Sequence, residues 1–263
     1  MKLLYLGTGA PDWYKAVDYI RHKTAMLIGD DLLIDPGPDV PEMMRTFCAD
    51  FAAVRHILVS HAHGDHWDPQ TAACFPGADI YGPASLASAV PDPARFHALT
   101  AGQAFTAGPY TVLPVPANHA GTAEAFHFAA QGPDGKRFFY GHDGVWFTSA
   151  EFALLRRFCA EKGLFDAMSF DATVNGMGDD GRTAFFDRFE TDEVGKGELT
   201  AHNNAAMCIA LRDVCRDVGI AGPETVCFCA HLAWHGYPDA ETPRRIFEPH
   251  GFIVPDDGFR MEI

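Results

Sequence analysis

Three histidines and one aspartate stand within six residues of this chain, in the sequence H-A-H-G-D-H. Imidazole nitrogens and carboxylate oxygens are ligands that divalent transition metals take in proteins. His61 and His63 are two residues apart, so an extended segment turns both side chains to one side. Asp65 and His66 are adjacent, so their side chains point in different directions, which suits a second ion beside the first. The motif follows the apolar residues 56–59, so it predicts a metal site at the end of a buried strand.

Further candidate ligands follow later strands of the chain. His119, Asp143 and His231 each come directly after an apolar run and are followed by small residues. One histidine at a strand end is usually structural, but three such residues after three strands complete two metal coordination spheres. His235 is a rival for the last position, although it lies past the strand end and beside a glycine. The set predicts two divalent ions, zinc or manganese, with iron as a further option.

The composition describes a compact enzyme. With 263 residues and 48% hydrophobic residues, the chain can bury a substantial core, and we expect one domain over residues 1–263. A net charge of −15 repels phosphate backbones, so a long nucleic acid is not an expected partner. Neither a signal peptide nor an apolar run of about 18 residues is found, so no membrane partner is expected. Seven irregularly spaced cysteines favour reduced thiols and a cytoplasmic location, and a homodimer is left open.

The hydrophobic pattern alternates short strands with helices. Helices are predicted from about Pro38 to Cys48, at about Ser149–Lys162 and at about Asn203–Val218. Predicted strands cover Lys2–Leu6, Thr24–Ile28, Leu32–Asp35, His56–Ser60, Tyr110–Val115, Ala125–Ala130, Arg137–Tyr140, Ala167–Phe170 and Thr225–Ala230. Such interleaving indicates an α/β sandwich in which loops at strand ends supply the ligands.

These residues resemble the motifs of the metallo-β-lactamase superfamily, in order and over nearly the whole chain. The segment Leu33–Asp39 resembles its first motif, and His61–His66 matches the signature motif. His119, Asp143 and His231 match the third, fourth and fifth motifs. The resemblance implies a four-layer αββα sandwich with a dinuclear centre along one sheet edge. It also implies that Asp143 bridges two ions, one held by His61, His63 and His119 and the other by Asp65, His66 and His231.

Within that superfamily the chain looks most like the cyclic phosphodiesterases of the phosphonate pathway and, more distantly, ribonuclease Z. The resembling segments are residues 114–119, 170–173, 201–203 and 257–263. The chain departs from the pattern in three ways: residues 10–23 lack the cysteines of a structural zinc site, the polar excursion 175–200 is longer, and His142 replaces a small residue.

The predicted function is that of a dinuclear metal-dependent hydrolase, a phosphodiesterase that cleaves a small, cyclic phosphodiester through a hydroxide shared by both metals. Its partner is therefore a small anionic substrate. Asp65 both ligates a metal and orients the nucleophile. His202 is the candidate general acid or phosphate contact. Asp35 and Asp171 are expected to accept hydrogen bonds from the ligand loops.

Other functions fit the same motif. A lactone or thioester hydrolase of this fold is the main alternative, because the metals alone do not select the substrate. A tRNA-processing ribonuclease fits the acidic charge poorly, and a non-catalytic metal-binding protein would not need the complete ligand set. A diiron electron-transfer protein of this fold typically has Glu where His63 stands. The excursion 175–200 is interpreted as a lid or partner contact, or as a solvated loop.

Overall fold

The protein is described here by a computed structural model, which covers residues 1–15, 19–119, 122–175, 202–237 and 239–263. Within these residues two seven-stranded mixed sheets face each other, and helices lie on their outer faces. None of the described helices is long and apolar enough to cross a membrane.

The first sheet is built mainly from the N-terminal part of the chain. Its strand order is β14-β1-β2-β3-β4-β5-β6. The strands from β3 to β6 run parallel, whereas β14, β1, β2 and β3 pair antiparallel. The strands are β1 (Lys2–Gly7), β2 (Ala25–Ile28), β3 (Leu32–Ile34), β4 (His56–Leu58), β5 (Asp79–Gly82), β6 (Phe96–Ala98) and β14 (Arg260–Glu262).

The second sheet has the strand order β13-β12-β11-β10-β9-β8-β7. Its strands from β10 to β13 run parallel, and β7, β8, β9 and β10 pair antiparallel. The strands are β7 (Phe105–Ala107), β8 (Tyr110–Pro116), β9 (Phe126–Gln131), β10 (Arg137–Gly141), β11 (Phe165–Asp171), β12 (Ala221–Ala230) and β13 (Phe252–Ile253).

Helices cover the outer face of each sheet. The helices are α1 (Val40–Thr46), α2 (Pro69–Ala72), α3 (Ser149–Lys162), α4 (Ala205–Asp217) and α5 (Glu241–Phe247). Short 3-10 helices lie at Pro11–Lys15, Ala84–Leu86, Pro93–Arg95 and Glu248–His250. The core under α1 and α2 contains first-sheet residues such as Leu33 and Ile57, and the core under α3, α4 and α5 contains second-sheet residues such as Phe139 and Met168. This is the four-layer αββα sandwich that the sequence predicts.

A third core lies between the sheets, and it explains why the central strands are apolar on both faces. On β10, Phe138 and Tyr140 face the first sheet, whereas Phe139 faces the helices. Alternate residues of a strand point to opposite sides, so a strand buried on both faces has few polar positions. Polar residues concentrate where such strands end.

The strands and helices predicted from the sequence are all present, with ends shifted by up to four residues. The prediction missed β5, β6 and β7, the terminal strands β13 and β14, and helices α2 and α5. Most of these are two to four residues long, too short for a hydrophobic period to be recognised. Cys227 and Cys229 are buried in the helix-facing core, and both are free thiols.

The topology gathers the ends of six strands at one edge of the sandwich. In the first sheet β3 and β4 are parallel and end at this edge. In the second sheet β10, β11 and β12 are parallel, and β8 runs the same way because β9 is antiparallel to both its neighbours. All candidate ligands and their predicted supporting aspartates therefore enter from loops on one side of the protein.

Candidate metal centre

Among the described residues, three overlapping groups of possible ligand atoms lie at this edge, and the third shares Asp143 and His231 with the second and adds Asp171 and His202. Within each group the nitrogen or carboxylate oxygen atoms are no more than 4.8 Å apart. The first group consists of His61, His63, His119 and Asp143, and the second of Asp65, His66, Asp143 and His231. These are the seven residues that the sequence proposes as metal ligands, divided as the resemblance implies. The structure brings every one of them to the site.

Asp143 lies between the two groups and contacts members of both. Its Oδ2 is 3.1 Å from His61 Nε2 and 2.9 Å from His66 Nε2. Its Oδ1 is 2.9 Å from His231 Nε2. Asp143 therefore belongs to both groups, with Oδ2 near members of each and Oδ1 near His231 of the second.

The donor atoms are spaced as ligands of a common ion would be. Two imidazole nitrogens at about 2.05 Å from a tetrahedral zinc are roughly 3.3 Å apart. Here His63 Nδ1 lies 3.1 Å from His119 Nε2, and His66 Nε2 lies 3.2 Å from His231 Nε2. His61 Nε2 is buried and makes no hydrogen bond with any described residue. Nitrogens that approach each other in this way, with one left unsatisfied, fit divalent cations, and the donor set suits zinc, manganese or iron.

Asp35 orients the ligands of the signature motif from behind. Its Oδ2 accepts a hydrogen bond from His66 Nδ1 at 2.7 Å, which leaves the His66 Nε2 lone pair facing the site. The same carboxylate accepts from Ser60 N at 2.7 Å and from Ser60 Oγ at 2.9 Å. Ser60 Oγ in turn lies 2.9 Å from His61 Nδ1 and can accept its proton. Tyr140 OH donates to Asp35 from the opposite sheet at 2.8 Å.

Asp171 and Thr173 orient candidate ligands of the second sheet through hydrogen bonds in the same way. Thr173 Oγ1 lies 2.7 Å from His231 Nδ1, so it can accept that proton and leave His231 Nε2 as the ligand atom. Asp171 Oδ2 accepts from the backbone N–H of Asp143 at 3.0 Å. Asp171 Oδ1 accepts from the backbone N–H of Asn203 at 3.0 Å. Asp35 and Asp171 thus both accept hydrogen bonds from segments that carry candidate ligands.

Three strand ends of the site have a left-handed backbone. Asp35 (φ 57°), Asp143 (φ 55°) and His231 (φ 59°) follow β3, β10 and β12. Non-glycine residues seldom adopt this conformation, which costs about 1–3 kcal/mol, and it concentrates at functional sites. The turn after Asp35 also approaches the motif closely, because a Cβ on Gly37 would lie 2.1 Å from the carbonyl oxygen of Asp65. The backbone is thus locally strained at Asp35, Asp143 and His231, and this conformation directs their side chains into the site.

Opposite charges in the cluster shift the pKa values of their neighbours. Burial alone would raise the pKa of the Asp143 carboxyl, but His231, His66 and His202 hold it well below its usual range. Burial would also lower the pKa of the His231 imidazole, yet Asp143, Asp65 and Asp171 raise it to about 10. Both carboxylates of the ligand set, Asp65 and Asp143, are therefore ionised at neutral pH, as metal binding requires.

The other histidines singled out by the sequence take different places. His202 lies at the rim of the centre, with its side chain 15% exposed. His235, the rival for the last ligand position, is bonded instead to Asp12 Oδ2 at 2.7 Å. His142 is buried behind Asp143 and contacts Ser169 Oγ at 2.7 Å. Of the excursion 175–200, residues 176–200 lie outside the described residues.

Sequence reasoning missed three hydroxyl groups that hold the ligands, those of Ser60, Tyr140 and Thr173. Ser60 directly precedes the motif and Thr173 follows Asp171 by two residues, so polar residues beside a predicted ligand loop were the available signal. Tyr140 is 105 positions from its partner Asp35, and only the packing of the two sheets brings them together.

Comparison with known proteins agrees with this geometry. A family model described as "Beta-lactamase superfamily domain" matches residues 31–179, more than half of the chain. The chain belongs to this superfamily. The match includes Asp35, the signature motif and Asp143, whereas His202 and His231 lie beyond it. As a metallo-β-lactamase-superfamily hydrolase, the protein combines the expected fold with a complete His/Asp cluster. A search of curated proteins gives no match.

Solved structures show the same fold at low sequence identity. The metallo-β-lactamase fold protein YhfI from Bacillus subtilis is 17% identical with a TM-score of 0.65, and the alignment covers 100% of this chain and 99% of that one. Human tRNase Z, short form, is 15% identical with a TM-score of 0.67, covering 100% and 99%. Igni18, a metallo hydrolase from Ignicoccus hospitalis, is 14% identical with a TM-score of 0.58, covering 100% and 98%.

Proposed function

We propose that this superfamily hydrolase is a dinuclear metal-dependent phosphodiesterase that acts on a small, cyclic phosphodiester. Two bound divalent cations would supply Lewis acidity toward the phosphoryl oxygens and lower the pKa of a shared water. His61, His63 and His119 would hold one ion, Asp65, His66 and His231 the other, and Asp143 both. The net charge of −15 supports a small anion, drawn in by the ions, over a long nucleic acid.

The observation that carries the proposal is an anchored imidazole beside the ligand groups. His202 Nδ1 lies 3.1 Å from Asp171 Oδ2 and 3.4 Å from Asp143 Oδ1. Asp171 therefore holds the proton on Nδ1, and Nε2 is the ring nitrogen left to face a substrate. Burial lowers the pKa of His202, but Asp143 and Asp171 raise it above the usual value for histidine. A protonated His202 can donate a proton from Nε2 to a departing alkoxide.

Asp65 supports the attack on the other side of the reaction. Its Oδ2 lies 3.3 Å from His66 Nε2 and 3.6 Å from His231 Nε2, within the second ligand group. The side chain is 11% exposed, whereas His66 and His231 are at most 1% exposed, so solvent reaches Asp65 more readily than these two neighbours. We assign it both ligation and orientation of the attacking water.

Substrates with different leaving groups test the role of His202. Departure of a poor alkoxide needs a proton donor, whereas p-nitrophenolate leaves unaided. His202→Ala should therefore slow an alkyl or ribosyl cyclic phosphodiester by about 10²-fold or more, the usual range for general acid catalysis. The loss on bis-p-nitrophenyl phosphate should be much smaller, and both metals should remain bound.

Each other outcome has a definite meaning. Equal losses on both substrates indicate that His202 holds a phosphate oxygen in ground and transition states alike. Loss of metal from His202→Ala makes it a ligand, consistent with its place within 4.8 Å of Asp143, Asp171 and His231. A metal-loaded wild type that cleaves a lactone, a thioester or a tRNA precursor faster than every phosphodiester overturns the proposed substrate class.

A further inference from the structure

Two buried side chains behind the metal centre leave polar atoms without partners. His127 lies on β9 and is 0% exposed, and Glu151 lies in the first turn of α3 and is 1% exposed. Both ring nitrogens of His127 and Oε1 of Glu151 make no hydrogen bond with any described residue. Buried polar atoms almost always have a partner, which is another protein group or an ordered water. Two of these atoms, His127 Nδ1 and Glu151 Oε1, lie 4.0 Å apart, which indicates a group between them.

The distance between the two side chains fits one intervening atom. His127 Nδ1 is 4.0 Å from Glu151 Oε1, too far for a direct hydrogen bond. A polar contact of this length in a buried place is typical of a bridging water. A water at about 2.8 Å from both atoms would subtend roughly 90° between them, which its hydrogen-bonding geometry allows.

Neither side chain is free to close the gap. Glu151 is held by its other oxygen, because Oε2 accepts a hydrogen bond from Thr148 N at 2.5 Å in a capping box. The ring of His127 packs against those of Phe139 and Phe147, with centroids 5.7 and 5.6 Å away. Its Nε2 faces Gly144, where an added Cβ would lie only 2.5 Å from that nitrogen.

We propose that one buried water bridges His127 Nδ1 and Glu151 Oε1, and that this bridge fixes the loop that carries Asp143. In this arrangement a neutral His127 donates its Nδ1 proton to the water, and the water donates to Glu151. Burial lowers the pKa of His127 to about 4, which keeps the ring neutral at physiological pH. His127 and Glu151 are positioning residues, since they act on the metal centre through the backbone around them.

The connection to the metal centre runs through three loops. Gly144, against the His127 ring, directly follows Asp143. Val145 N donates to Asn118 O at 3.0 Å, which ties the same loop to the residue before His119. At the start of β9, Phe126 N donates to Ser60 O at 2.9 Å, directly before the signature motif. A shift of the His127 ring is therefore transmitted to both ligand groups.

A crystal structure that resolves ordered waters tests the bridge directly. The wild-type protein should show one water within about 3.2 Å of both His127 Nδ1 and Glu151 Oε1. A direct contact between the two side chains, or a gap without density, overturns the proposal. This observation needs neither activity nor bound metal.

Matched variants test the effect on the metal centre, which rests on the proposed function. His127→Phe and Glu151→Leu keep shape but cannot hold the water, and each should weaken metal binding by about 10-fold, as other changes behind metal ligands do. Glu151→Gln retains an acceptor and should restore affinity to within about twofold. Thr148→Ala removes the other half of the capping box, so it controls for loss of helix stability.

The results separate this inference from the proposed function. If His127→Phe and Glu151→Leu bind metal as tightly as Thr148→Ala, the positioning role is wrong. If the wild-type protein binds no metal at all, the proposed centre is wrong, while the crystallographic water still decides the bridge. If a variant does not fold, the wild-type water and the Glu151→Gln affinity remain as tests.

Discussion

Replacing Asp35 by asparagine changes the proton arrangement of the metal centre while leaving the shape of the site intact. Asp35 is fully buried, and three donors converge on its Oδ2: Ser60 Oγ at 2.9 Å, His66 Nδ1 at 2.7 Å and Tyr140 OH at 2.8 Å. Asparagine has the same size and tolerates the left-handed backbone at this position. However, it presents an NH2 group, which donates, where one carboxylate oxygen accepts.

The substitution changes which ring nitrogen of His66 carries the proton. With the NH2 group at the Oδ2 position, the hydroxyls of Ser60 and Tyr140 can rotate and accept, but His66 must move its proton to Nε2. That nitrogen faces Asp143 Oδ2 at 2.9 Å and is the proposed ligand atom. In the flipped orientation the NH2 group meets the N–H of Ser60, so the loop before the motif is displaced. Either way metal affinity should fall by about 10- to 100-fold, or roughly 1.4–2.8 kcal/mol.

Competition with a chromophoric chelator measures this loss for zinc or manganese. Tyr140→Phe is the matched control, because it removes one donor but leaves the acceptor oxygens of Asp35 in place and the His66 proton on Nδ1. Its affinity should stay within about threefold of wild type. An Asp35→Asn protein that binds metal as tightly as Tyr140→Phe would refute the argument that Asp35 sets the His66 tautomer.

Two further predictions concern the bridge and pH. Asp143→Ala should lose more bound metal than His63→Ala, because one carboxylate serves both ligand groups; equal metal contents by elemental analysis would contradict this. The hydrogen bond from His22 to Asp257 raises the pKa of His22, so its stabilisation is present below about pH 6.5 and is lost as pH rises through the folded-state pKa. The free energy of unfolding, measured with urea, should therefore fall further below the wild-type value for His22→Gln at about pH 6 than at about pH 9. An equal loss at both pH values would contradict this prediction.

The sequence was sufficient to predict which residues come together at the candidate site, because their signals are local. The motif from His61 to His66 needs only its own spacing and the buried strand before it. His119 and His231 were recognised by the apolar strands that end just before them. Functional polar side chains concentrate in the loops that follow buried strands. The position of each candidate ligand just after an apolar run is therefore itself a signal.

The rest of the site depends on contacts between distant parts of the chain. The pairing of Asp35 with Tyr140 crosses from one sheet to the other, and no local pattern marks it. The His127–Glu151 pair was missed for the same reason, because a histidine inside an apolar strand looks like ordinary core until its neighbours are known. The left-handed backbone of Asp143 is equally invisible, since sequence patterns describe side chains far better than rare φ angles.

Anomalous scattering from crystals of the zinc-loaded protein tests the central claim most directly. The account predicts two peaks per chain, both in contact with the carboxylate of Asp143. The remaining ligands should divide between the peaks as His61, His63 and His119 for one and Asp65, His66 and His231 for the other. A single peak, or two peaks of which one lies away from Asp143, would contradict a dinuclear centre built on these residues.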